Sequence, residues 1–394
     1  MNLTQKVKEL AKNLQTDLVV TRRHLHSNPE LSFKEFKTTE YLVDRLKSFG
    51  YDLERITETG GYIDIKGKNP EKKVIALRGD IDALTILEAN NVDYKSKNEG
   101  VMHACGHDVH TTCVLGALQI LDQMKDQFEG TVRCIFQPGE ERLPGGASIM
   151  IKKGVLKPNV EEIFGQHVMP LIDAGKVGFR SGLYMASADE IYIKVIGKGG
   201  HGAHPHKNID PVVVAAQIIT QLQTVVSRRA NPAMPSVLSI GKVIAEGSTN
   251  IIPNEVNMEG TFRAFNEEWR MEAHQIIKDL CNAICVAHGA ECEVEVRKGY
   301  PFLNNNEELT QSARSLAEDY LGKENVVDLA IWPAGEDFAY YSQEIPACFY
   351  RLGIRNEERG ITSMVHTATF DIDEKALEVG SGLMAYIALN SLNE

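Results

Sequence analysis

Three apolar runs, each ending in residues able to do chemistry, constrain this chain more than any other feature. KKVIAL leads into Arg78, Asp80 and Asp82, TVRCIF leads into the Glu140-Glu141 pair, and EEIFG leads into His167. Such short, β-rich runs read as strands, and helical patterns separate them. That alternation predicts an α/β fold, a mostly parallel sheet covered by helices. In open sheets of this kind the ligand crevice lies outside the carboxyl ends of the strands, so the three clusters are expected to share one site.

Between Asp189 and Arg297 the pattern changes. Strand-like EIYIKVIGK precedes a helix opening at Asp210, with Pro211 in its first turn; SVLSIGKVIAEG and EVNMEGTFRAF follow as strands, then a helix from Glu267 to Ala287 and the strand ECEVEV. This βαββαβ order predicts a small α+β domain, an antiparallel sheet backed by two helices. After Tyr300 the earlier alternation returns and delivers His366. A chain of 394 residues is too long for one ordinary core. The expected organisation is a split catalytic domain, 1–185 and 298–394, with an inserted lid or dimerisation domain at 186–297.

Composition narrows the partners. The formal net charge is −12, without long acidic blocks, which argues against nucleic acid and anionic membrane as partners. No apolar run reaches the roughly 18 residues of a membrane span, and MNLTQKVKELAKNLQ lacks the apolar core of a signal peptide. A cytoplasmic location is the expectation. The seven cysteines form no regular framework and read as reduced thiols. Cys105 stands apart because of its neighbours.

HACGHD, residues 103–108, sets Cys105 and His107 two apart just before a predicted helix. Together with Glu140, Glu141, His167 and His366 they amount to one thiolate, three imidazoles and two carboxylates. That set suits more than one metal ion with a free base alongside. Adjacent residues on an extended segment point opposite ways, so one glutamate of the pair can bind metal while the other takes a proton. A thiolate favours zinc without excluding manganese, cobalt or nickel. Asp80 and Asp82 are candidates for orienting a ligand histidine from behind, with a cap or turn role as the plainer reading. GKGGHGAHPH gathers His201, His204 and His206 in a glycine-rich loop, where an imidazole can donate to an oxyanion or the group can form a surface metal site. Arg263 suits a substrate carboxylate or a surface ion pair. Asn250 suits a substrate carbonyl or carboxylate, or simply a turn before Pro253. No G-x-S-x-G elbow, P-loop or G-x-G-x-x-G opening a helix competes.

From RRHLHSNPELSFKE through LRGDIDAL, MHACGHDVHT, FQPGEE, GKGGHGAHPH, NIIPNE, GTFRAF and AGEDFAYY to VHTATFDIDE, the chain resembles the dinuclear-metal aminoacylase and carboxypeptidase peptidases. Within them it is most similar to the amidohydrolase subgroup of hippurate hydrolase and the plant auxin-amino-acid conjugate hydrolases. The resemblance implies that Cys105, His107, Glu141, His167 and His366 bind two divalent metals and that Glu140 is the general base. It implies that His201 reaches the active site, in related dimers from the partner subunit, and that the lid domain carries a homodimer or higher homo-oligomer interface. Cys105 stands where the wider superfamily usually has a bridging aspartate, and Asp80 where a histidine ligand is common. The implied reaction is hydrolysis of linear amide bonds in N-acyl amino acids of the N-acetyl or N-benzoyl type. Deacetylation of N-acetyl-diaminopimelate, dipeptide or carboxypeptidase cleavage, and non-catalytic metal binding remain as alternatives.

Overall fold

Two of the strands that carry the chemistry are buried on both faces, as parallel strands between helical layers must be. In the computed structural model, which describes residues 2–393, Thr131–Gln137 is buried at every position and Val74–Asp80 at all but its first. They lie inside a seven-stranded sheet ordered Gly61–Lys66, Thr131–Gln137, Val74–Asp80, Val160–Asp173, Ala347–Arg355, Val177–Phe179, Val326–Asp328. Four of its neighbouring pairs are parallel; Gly61–Lys66 with Thr131–Gln137, and Ala347–Arg355 with Val177–Phe179, are antiparallel. The expected mostly parallel α/β sheet is therefore present.

Two helices of this unit are apolar nearly all round, so packing rather than amphipathicity holds them. His107–Asp122 and Lys375–Ser391 are buried over almost their whole length. They approach closely at Gly116, where a Cβ would lie 2.3 Å from Ser381 Oγ and 2.8 Å from Leu18 Cδ2. Truncating a core leucine such as Leu118 to alanine should cost about 2–5 kcal/mol.

The chain divides into two compact units: Met1–Tyr184, Asn304–Ile331 and Asp337–Glu394 form one, and Met185–Leu303 with Trp332–Glu336 the other. The short second segment joins its unit through Ala186 N donating to Trp332 O at 3.3 Å. The second unit holds a four-stranded antiparallel sheet in the order Glu291–Lys298, Asp189–Ile196, Glu255–Ala264, Ser236–Ile244, the βαββαβ arrangement expected. Pro211–Thr224 is capped by Asp210, and Glu267–Ala287 by Asn266. Ile191, Ile193 and Val195 alternate onto the face that packs with helix residues Ile218, Ala273 and Ile277. Among the described residues no helix is long and apolar enough to cross a membrane.

Candidate metal centre

A left-handed glycine turns the chain into the site. Gly106, at φ 82°, caps the helix that begins at His107, and a Cβ there would lie 2.6 Å from the Val168 side chain. Only glycine lets the Cys105–His107 turn close on the strand that carries His167. His366 arrives on a third segment; it sits at φ 62°, a rare conformation for a side-chain residue, and its N–H donates to Ala104 O at 2.8 Å. From behind, Asp108 accepts from Arg22 Nε and His26 Nδ1, both at 2.8 Å. Breaking this buried pair on one side should cost about 3–5 kcal/mol, because the other charge is left behind.

The donors that meet here have metal spacing. Cys105 Sγ lies 3.5 Å from His167 Nε2 and 3.3 Å from His366 Nε2. Glu141 Oε1 is 3.2 Å from His366 Nε2 and 3.9 Å from His107 Nε2. A tetrahedral ion with ligands at about 2.0–2.3 Å has its donors roughly 3.3–3.8 Å apart. Cys105 belongs to two mutually close sets, one with His107 and His167 and one with Glu141 and His366. Such sharing suits a site for more than one divalent ion, with Cys105 common to both donor sets. His107 Nε2 and Glu141 Oε1 are buried without a hydrogen bond, an arrangement that a cation would complete.

Hydrogen bonds fix which imidazole nitrogen is available. His107 Nδ1 is 3.0 Å from Asp82 Oδ1, and His167 Nδ1 is 2.8 Å from Val168 O. Both acceptors lack a proton, so each Nδ1 carries a hydrogen and Nε2 is the nitrogen left for metal. His110 differs: its Nδ1 donates to Asp80 Oδ1 at 2.6 Å and its Nε2 accepts from Val168 N at 2.9 Å. It lies close to Asp80 and His107 but has no lone pair left, and it acts as a strut between two strands. Sequence reasoning passed over it, although it follows His107 by one helical turn.

The charges favour a cation. Burial pulls the His107 imidazolium down, but Asp80, Asp82 and Glu141 together raise it to about 10. Burial, helped by Arg351 and His110, holds His167 well below its usual value, in the neutral form a metal needs. Burial and the carboxylates of Glu141, Glu140 and Asp80 push the Cys105 thiol far up. For Asp80 and Asp82 burial opposes ionisation and is outweighed, chiefly by Arg78 at Asp80 and by His107 at Asp82, so both stay below the ordinary carboxylate range.

Two local expectations need correction. His167 does not end a strand: Val160–Asp173 continues past it, held in register by Ala347–Arg355, with His167 opposite Arg351. Nor do Glu140 and Glu141 sit on an extended segment. They occupy a turn after Gly139, which has φ 61°, and both carboxylates converge on His107. Their anchors nevertheless differ. Glu141 N donates to Asp82 Oδ2 at 3.0 Å, while Glu140, 6% exposed, accepts from Asp337 N at 3.3 Å. Asp337 also accepts from Arg78, Gln137 and Ala147 N, a hub that sequence reasoning missed inside AGEDF.

In the second unit, His201 and Ile251 pair across a two-stranded ribbon, and Gly202 N donates to Asn250 O at 2.8 Å. The ribbon thus brings together two of the expected residues, both exposed. Ala203 N donates to His201 Nδ1 at 3.0 Å, so a neutral His201 carries its hydrogen on Nε2. His204 and His206 lie beside it, the first ring tilted to His201 and the second edge-on to His204, with successive ring centroids 5.1 and 5.9 Å apart, but these three are not among the groups whose donors come within 4.8 Å of one another. Arg263, on the Glu255–Ala264 strand, is partly buried, and burial lowers its pKa. No carboxylate pairs with it among the described residues.

The model of peptidase family M20/M25/M40 matches residues 76–390. The chain is 42% identical over 305 residues to an N-acyl-L-amino acid amidohydrolase of Geobacillus stearothermophilus, covering 77% of this chain and 82% of that one. It is 36% identical over 398 residues to thermostable carboxypeptidase 2 of Saccharolobus solfataricus, covering all of both. The crystal structure of Bacillus subtilis YXEP, described as a dinuclear metal-binding peptidase, superposes with a TM-score of 0.83 at 36% identity, covering 97% of this chain and 99% of that one.

Proposed function

We propose that this chain, which belongs to peptidase family M20/M25/M40, is a metal-dependent amidohydrolase that cleaves N-acyl amino acids to a carboxylic acid and a free amino acid. The observation that carries the reading is the pair of donor sets sharing Cys105, with Glu140 beside them and not required by either. Cys105, His107, Glu141, His167 and His366 would hold two divalent ions, and the thiolate favours zinc, with manganese, cobalt or nickel as other fits. Bound there, the ions supply Lewis acidity to the amide carbonyl and lower the pKa of water from about 15.7 towards 7.

The protein's own groups do the rest. Glu140 takes the proton of the attacking water and returns it to the leaving nitrogen, which cannot depart as an amide anion. His201, with Nε2–H available, donates to the oxyanion of the tetrahedral intermediate. Arg263, partly buried and free of a carboxylate partner, receives the substrate carboxylate as a bidentate fork, and Asn250 adds a hydrogen bond. Asp82 keeps His107 in its ligating tautomer, and Asp80, held by Arg78 and His110, supplies fixed negative charge behind the site.

The same reading includes a homodimer or larger homo-oligomer formed through the second unit. The two edges of its sheet differ. Glu291–Lys298 exposes Glu291, Glu293, Glu295, Arg297 and Lys298, the charged dressing that blocks strand addition. The opposite edge, Ser236–Ile244, exposes Val237, Val243 and Ile244. A cytoplasmic, reducing location fits the seven free cysteines.

The likeness to a carboxypeptidase favours peptide cleavage as a second reading. One experiment separates the two. Protein stripped of metal and reloaded with zinc or manganese is given N-acetyl, N-benzoyl and dipeptide substrates, including N-acetyl-diaminopimelate, and free amine is measured. Metal-dependent release from N-acyl amino acids is the expected result. Release from peptides alone would transfer the assignment to the second reading, and no release with any substrate despite full metal uptake would remove both.

A further inference from the structure

The turn that carries Glu140 and Glu141 is gripped from behind by a segment that the proposed mechanism does not use. Glu35 is fully buried, at 0% exposure, and a carboxylate so placed is costly unless its oxygens are satisfied. Its Oε1 accepts from Gly139 N at 2.8 Å and from Phe33 N at 2.9 Å, and its Oε2 accepts from Thr59 Oγ1 at 2.8 Å. Among the described residues no cation pairs with it. Burial, with the nearby charge of Asp82, pushes its pKa up to about 7.

The neighbouring residues add to the grip. Phe33 sits at φ 63°, and a Cβ at Gly139 would lie 2.3 Å from its ring, so the ring packs directly on the turn. Ser32 Oγ donates to Asp82 Oδ2 at 2.7 Å, the oxygen that also receives Glu141 N. One short segment therefore reaches both ends of the turn. Glu141 is anchored through Asp82, whereas the Glu140 end is anchored through Gly139 and thus through Glu35.

We propose that Glu35 is a positioning residue for hydrolysis: by accepting the Gly139 N–H it fixes the turn so that Glu140 reaches the reacting water while Glu141 faces the metal donors. This rests on Glu140 being the base. Because Asp82 still holds Glu141, loss of Glu35 should misplace the base and leave metal binding intact. A misplacement of about 1 Å is worth about 100-fold in rate.

The test is a comparison of Glu35→Gln, Glu35→Asp and Glu35→Leu with Glu140→Gln, in the metal-loaded full chain. Glu35→Gln keeps an acceptor oxygen for Gly139 and Phe33 and turns its amide N–H towards the Thr59 hydroxyl; Glu35→Asp keeps the charge but withdraws the acceptor. We expect Gln to stay within about 3-fold of the parent kcat, and Asp and Leu to lose about 100-fold with KM and metal stoichiometry unchanged. If Leu fails to fold, the Asp and Gln pair decides. Parent kcat in Asp, or a Gln variant as slow as Asp, would overturn the proposal while an inactive Glu140→Gln left the base assignment standing. An active Glu140→Gln would remove the base assignment and this proposal together.

Discussion

His107 and His167 in the first unit and His201 in the second all leave Nε2 available, and differ in what the partner at Nδ1 makes of it. The first two are buried, and each gives its Nδ1 hydrogen to an acceptor, Asp82 or Val168 O. Each therefore leaves Nε2 as the nitrogen open to a metal. His201 is exposed and its Nδ1 accepts from Ala203 N, so it presents an N–H at Nε2 instead. In the proposed roles, the partner of the other nitrogen decides whether the same side chain serves as a metal ligand or as an oxyanion donor. Counting histidines cannot reveal this; the partner of the second nitrogen can.

The largest effect that would sharpen this contrast is metal removal. Stripping the protein with a chelator should reduce amine release to background, and reloading should restore it. In hydrogen exchange, metal should protect the peptide around His107 and leave residues 201–206 unchanged. Equal protection at both would erase the distinction between the two groups. Next is His201→Ala, expected to lower kcat by about 10²–10³ with both metals retained, the size of a lost oxyanion donor. Loss of metal in this variant would make His201 a ligand.

A smaller change should follow from Asp82→Asn, which removes the charged acceptor that fixes the His107 tautomer. Metal affinity should fall by about 10–100-fold, read by competition with a chromogenic chelator, and unchanged affinity would contradict the role given to Asp82. The smallest concerns Asp189, which accepts from Arg270, His274 and Gly299 N in the second unit. Burial opposes its ionisation, but His274 and Arg270 outweigh that and lower its pKa in the folded state. Its stabilisation is then complete above the unfolded value of about 4 and is lost as pH falls further, at no more than about 1.4 kcal/mol per pH unit for one proton. The protection factor of the Asp189–Ile196 strand, exchange corrected for the intrinsic pH dependence of amides, should fall below pH 4, and a fall on raising the pH from 4 to 7 instead would reverse the sign.

The sequence disclosed those parts of the fold whose signals are local. The apolar runs before Asp80 and Glu140 marked buried strands, and the changed pattern after Asp189 marked the βαββαβ unit. Cys105, His107, Glu141, His167 and His366 were nominated from their strand-end or motif contexts, and the structure brings their donors together. What stayed hidden depends on contacts between distant segments. Glu35 meets Gly139 across 104 residues and Asp337 meets Glu140 across 197. His167 was misplaced on its strand because the pairing that extends it comes from Ala347–Arg355. Strand periodicity does not carry through to the two glutamates, because Gly139 in the left-handed region breaks it.

The central claim is that Glu141 serves the metals and Glu140 serves the proton, and it is tested most directly by measuring metal stoichiometry and turnover together in Glu140→Gln and Glu141→Gln. Glu140→Gln should bind two ions per chain and lose about 10²–10⁴-fold in kcat, whereas Glu141→Gln should lose metal first. Near-parental turnover in Glu140→Gln, or two tightly held ions in Glu141→Gln, would contradict it.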